Sequence, residues 1–130
     1  SFNTVVSIYT ITSLYDLINF LSLRYNDSPH HLTRAESEYD ILSPYNCPAI
    51  DTVVSVLSKI KQLDTYKNNV TINSQIDSYY THYTSSPKIN LEKLEKFYEY
   101  NNKLDHARNV KLKDYIPELE VCRSLITKQT

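Results

Sequence analysis

The sequence predicts an all-α fold, a compact bundle of five to six helices with short connections. Three observations point there. The chain has 130 residues and no glycine. Apolar residues recur at three- and four-residue steps along most of it. Proline and asparagine punctuate the segments that carry this spacing. Without glycine, two-residue hairpins lose Asn-Gly and Asp-Gly, their usual turns, so an all-β fold is disfavoured. Helices tolerate the loss best, because asparagine can take the left-handed position that ends a helix. Asn26, Asn68, Asn69, Asn101, Asn102 and Asn109 stand where such endings are useful.

The first segment, about Thr4 to Tyr25, repeats Leu14, Leu17, Ile18, Leu21 and Tyr25 at helical spacing. Its other side carries Ile8, Ile11, Tyr15 and Phe20, and a helix apolar nearly all round belongs in the middle of a bundle. The β-branched opening TVVSIYTIT makes a mixed fold, with a strand over residues 4–12, the runner-up. In the second segment Thr33 and Glu36 form a capping box, followed by a helix with Leu32, Ala35, Tyr39 and Leu42 on one face, ending at Ser43-Pro44. The third has Pro48 in its first turn and a stripe of Ile50, Val53, Val54, Leu57, Ile60 and Leu63. The fourth, about Thr71 to Thr84, carries Ile72, Ile76, Tyr79, Tyr80 and Tyr83 inward. The fifth is capped by Asn90, with Ile89 and Leu94 as a hydrophobic staple and Leu91, Leu94, Phe97, Tyr98 and Leu104 inward. The sixth holds Ile116, Leu119, Cys122, Leu125 and Ile126, with Pro117 in its first turn.

At 15.2 kDa, residues 1–130 suit a single helical domain. The chain contains no methionine and reads as an excerpt of a longer one. Three alanines and no glycine, against twelve tyrosines and eleven asparagines, is the codon bias of an AT-rich source genome. The segment over residues 4–25 is too interrupted by polar groups for a membrane span or a signal peptide. Cys47 and Cys122 lack any zinc or CxxC spacing and read as reduced thiols, so the expected location is intracellular, cytoplasmic or nuclear. Two glycosylation sequons, at Asn26 and Asn69, are no more than chance supplies in so asparagine-rich a chain.

The missing glycine removes the phosphate-binding P-loop, the dinucleotide turn, the nucleophile elbow and the EF-hand loop. His30-His31, in an expected turn, lacks the helical spacing of a metal site. Cys47 precedes a helix start, where a thiolate is stabilised, but no partner motif surrounds it. Glu36, Glu38 and Asp40 fall at two-residue steps, off any one helix face, as do Glu118 and Glu120. No enzyme, no cofactor and no metal are expected.

The surplus of tyrosine is the positive signal. Tyr79, Tyr80, Tyr83, Tyr98 and Tyr100 concentrate in two consecutive helices. Either Tyr79, Tyr80 and Tyr83 pack between helices, or some of the five form a partner-binding surface, tyrosine being large, rigid and amphipathic. The expectation is a protein–protein interaction domain, subunit or adaptor of a larger assembly, with another protein as partner. The alternative is a nucleic-acid-binding helical domain using the region over residues 88–113. There Lys93, Lys96, Lys103, Arg108 and Lys111 would meet phosphate beside stacking tyrosines.

Overall fold

The β-branched run at the head of the chain forms a strand, not the first turns of a helix. In the computed structural model, which describes residues 2–24, 30–36, 40–85 and 89–124, strand β1 spans Phe2–Val6. It pairs in parallel with β2, His30–Arg34, with Phe2 opposite His30 and Val6 opposite Arg34. The Ala35 N–H extends the ladder by donating to the Val6 carbonyl at 2.8 Å. Parallel strands need a crossover, and it contains a 3-10 turn over Ile11–Ser13 and helix α1, Leu14–Arg24. The expected helix over residues 4–25 therefore starts about ten residues late, and the strand alternative holds at its head.

The expected second helix is corrected more fully. Thr33 does not cap a helix. It lies in β2, and its hydroxyl donates to Asn3 Oδ1 across the ladder at 2.5 Å. The Thr33–Glu36 pattern is local, whereas pairing with β1 satisfies several backbone groups at once. His30 and His31 are likewise strand residues, not turn residues. Tyr39 of the expected helix lies outside the described residues. Asp40, just beyond, has a left-handed backbone with φ of 56°.

Six helices follow where the apolar stripes and caps place them or between them. Helix α2, Ile50–Ile60, buries Val53, Leu57 and Ile60. A short α3, Asp64–Asn68, leads into α4, Val70–Ser85. Asn90 caps α5, Leu91–Arg108, its side chain accepting from the Lys93 N–H at 3.0 Å. Asn109 ends α5 in the left-handed conformation at φ 55°, the role glycine usually takes. Two short helices close the described chain, α6 at Leu112–Tyr115 and α7 at Pro117–Val121. The stripe of α2 and Ile72 and Ile76 of α4 share one core with Val6, Ile8, Ile11, Leu14, Ile18, Leu94, Phe97 and Leu119.

The far edge of β2 meets α4 rather than a third strand. The Leu32 N–H donates to Gln75 Oε1 at 3.2 Å, and Gln75 Nε2 donates back to the Leu32 carbonyl. Asn69 Nδ2 donates to the His30 carbonyl at 3.3 Å. Side-chain amides thus stand in for a neighbouring strand and cover an edge that would otherwise be exposed. The fold is mostly helical, with seven α-helices among the described residues, and the small parallel pair corrects the all-α expectation. Among the described residues no helix is long and apolar enough to cross a membrane.

Candidate functional site

The five candidate tyrosines do not form one surface. Tyr83, only 2% exposed, donates its hydroxyl to the Pro44 carbonyl at 2.5 Å and accepts from the Cys47 N–H at 3.0 Å. Tyr98 is buried, its hydroxyl donating to the Leu119 carbonyl at 2.5 Å, with the Arg123 guanidinium 4.8 Å from its ring. Tyr79 is buried with its ring 4.8 Å from that of Tyr45. Burial raises all three phenols, Tyr79 to about 12 and the other two further. All three are core residues, and the hydroxyls of Tyr83 and Tyr98 serve backbone groups that helix and strand leave over. That leaves Tyr80, half-buried with Lys61 Nζ 3.7 Å from its ring centre, and exposed Tyr100 on a different helix.

The candidate basic residues are partly occupied. Lys93 pairs with Asp40 at 3.7 Å and Lys96 with Glu92 at 3.6 Å. Lys103 is exposed beside Tyr100 on α5, while Arg108 and Lys111 stand at its far end. Glu92 and Glu99 run along the same side and offset the attraction for phosphate. The remaining chemistry is quiet. Burial pushes the Cys47 thiol up to about 12, the reverse of an activated nucleophile, and raises Cys122 as well. His30 is buried with its Nε2 2.8 Å from the Thr4 hydroxyl, and burial lowers its pKa. Among the described residues no group of three His, Cys, Asp or Glu converges as a metal site.

Two features stand out instead. The first is the outer face of α1. Leu14 and Ile18 of this helix enter the core, but Leu17, Phe20 and Leu23 are 40%, 49% and 79% exposed. Asp16 and Arg24 flank them, the Arg24 guanidinium lying 5.1 Å from the Phe20 ring centre. A helix expected inside the bundle because it is apolar nearly all round lies instead with one apolar face outward.

The second is a polar concavity of about 270 Å³ at the carboxyl end of β2, lined by side chains that include Arg34, Asp40, Tyr45, His82, Asn90 and Lys93. Arg34 Nη2 and Lys93 Nζ converge on one oxygen, Asp40 Oδ2, at 3.2 and 3.7 Å. The Arg34 guanidinium also lies 5.8 Å from the Tyr45 ring centre. His82 Nε2 donates to the Tyr45 carbonyl at 2.8 Å, and its ring meets that of Tyr45 edge-on at 5.0 Å. Behind them, Asn46 Nδ2 donates to the Asn90 carbonyl at 3.1 Å and the Asn90 N–H donates to Asn46 Oδ1 at 2.7 Å. This double bond ties the turn over Pro44–Asn46 to the start of α5.

No family model, curated protein or solved structure matches this chain. Both features must be read from their own chemistry. Of the concavity's residues, only Lys93 was a sequence candidate for binding. Arg34 and His82 are far apart along the chain, and no local spacing joins them. The α1 residues were visible as apolar positions, but helical spacing alone cannot say which of two apolar faces points outward.

Proposed function

We propose that the chain is a protein-interaction domain, a subunit or adaptor of a larger assembly, docking through the outer face of α1. The exposure of Leu17, Phe20 and Leu23 on one helix carries this reading. Residues three apart are neighbours on a helix surface, so these three form one stripe. Grouped apolar surface of this kind marks an interaction site more than scattered exposed residues do.

The stripe also suggests its occupant. Centred on Phe20, the order Asp16, Leu17, Phe20, Leu23, Arg24 is its own complement when reversed. A second copy with α1 antiparallel would set Leu17 against Leu23, Phe20 against Phe20 and Asp16 against Arg24. That is an isologous contact of the kind two-fold dimers use. Fully burying a leucine or phenylalanine contributes about 1.5–3 kcal/mol, and association itself costs at least about 4 kcal/mol. A stripe this small therefore suits a reversible contact.

Sedimentation velocity across the micromolar range tests the proposal. The wild-type chain should show a reversible dimer, and Phe20→Glu should be monomeric. Asp16→Arg should weaken the dimer, and adding Arg24→Asp should restore it. A wild-type chain that stays monomeric throughout, or a Phe20→Glu chain that dimerises equally well, would sink the α1 reading.

A further inference from the structure

We propose that the concavity at the carboxyl end of β2 is an oxyanion site fitted to a phosphate group, and that Asp40 is a built-in competitor for its two cations. Arg34 closes β2, and Lys93 lies in the first turn of the 18-residue helix α5. Two elements far apart in sequence thus bring a guanidinium and an ammonium to one point. Arginine offers a planar fork of donors and lysine a mobile point charge, a combination that suits a phosphate's several oxygens. Asn90, the cap of α5, lines the same space, so the positive end of the helix dipole lies close by even though the Asn90 and Lys93 N–H groups are already taken. A volume of about 270 Å³ accepts a phosphate with a few attached atoms and excludes a duplex.

Asp40 shows what the site is shaped to hold. Its carboxylate oxygen takes both cations, and its backbone sits at φ 56°, which is uncommon outside glycine. That conformation costs Asp and Asn less than other side chains. The three charged side chains are each about a third to a half exposed, where ion pairs contribute little. The internal carboxylate is therefore held weakly enough to be displaced. A monoanionic carboxylate ligand would only repeat what Asp40 already supplies. A phosphate dianion brings a second charge and more acceptor oxygens, so the site should prefer it.

Titrating inorganic phosphate into the labelled chain at constant ionic strength, followed by amide NMR shifts, tests this. Saturable shifts should centre on Arg34, Ser43 and residues 90–93. Asp40→Asn, which keeps a residue tolerant of left-handed backbone, should tighten binding about tenfold by removing the competing charge. Arg34→Gln and Lys93→Gln should each weaken it about tenfold. Acetate at the same concentration should give no saturable shift. Glycerol phosphate separates the two sources of the group. Tighter binding than inorganic phosphate would identify a monoester as the ligand, and weaker binding the free ion; both support the site. If Arg34→Gln fails to fold, Lys93→Gln, whose side chain lies outside the core, decides alone. Shifts scattered over the lysines of α5, no saturable shift at all, or an affinity indifferent to Asp40→Asn and Lys93→Gln would overturn the proposal.

Discussion

Alkaline pH should unfold this protein, and much of the cause lies in three of the groups that hold their protons inside the core. Cys47 is fully buried, and Tyr83 and Tyr98 are 2% and 4% exposed. Burial pushes the thiol from its usual 9 to about 12, and it lifts both phenols well above their usual 10. Above those usual values the unfolded chain releases protons that the folded chain keeps. The unfolded state therefore gains, and stability falls by about 1.4 kcal/mol per pH unit for each such group. By about pH 11 the thiol accounts for roughly 3 kcal/mol and each tyrosine for roughly 1.4 kcal/mol. That is comparable to the whole stability of a marginal domain, about 5–15 kcal/mol. The chain has no tryptophan and twelve tyrosines, so tyrosinate absorbance reports the titration directly. The buried ones should ionise in a steep step that coincides with loss of the helical circular dichroism signal. Cys47→Ala should move that step to higher pH. A single gradual titration of all tyrosines with the helical signal intact would refute the reasoning.

Tyr83→Phe should cost about 2–4 kcal/mol in urea denaturation, because it strands both the Pro44 carbonyl and the Cys47 N–H. Tyr98→Phe, which strands the Leu119 carbonyl alone, should cost about half as much. Gln75→Leu should cost about 1–3 kcal/mol and speed hydrogen exchange at the Leu32 amide, since β2 loses its covering amide. Asn109→Gly should leave the thermal midpoint unchanged or raise it slightly. Asn109→Val should lower it by an amount equivalent to about 1–2 kcal/mol, because a β-branched residue resists φ of 55°.

The long helices were legible because their signals are local. In α2 the stripe of Val53, Leu57 and Ile60 repeats within one segment and faces one core. At α5 the Asn90 cap and the left-handed Asn109 mark both ends in sequence and structure alike. The sheet was half legible. The β-branched head of β1 signalled a strand, but its partner lies 28 residues away, and nothing in HHLTR alternates strongly enough to declare itself. Thr33 and Glu36 offered a helix start by short-range rule, and the long-range ladder prevailed. The concavity was not legible, since Arg34, Asp40, His82 and Lys93 meet only through the fold.

The buried part of the tyrosine and asparagine surplus has a structural task. Short loops and a two-stranded sheet leave many backbone groups without secondary-structure partners, and buried ones must be satisfied. Tyr83 serves the turn after Ser43, Asn46 ties that turn to Asn90, and Gln75 replaces a strand. Asp105 takes the Leu112 N–H at 2.8 Å and the Asn101 amide at 3.0 Å, while Asn101 accepts from Tyr9 at 2.7 Å. Long polar side chains reach from helices to loops and do the work of a larger sheet. Tyr83, Tyr98 and Tyr9 are thereby accounted for, and the outward apolar residues of α1 are not. Leu17, Phe20 and Leu23 have no such internal task, and leaving them in water forgoes burial that Leu14 and Ile18 on the same helix obtain. The case for a partner therefore moves from the tyrosines to the second apolar face of α1.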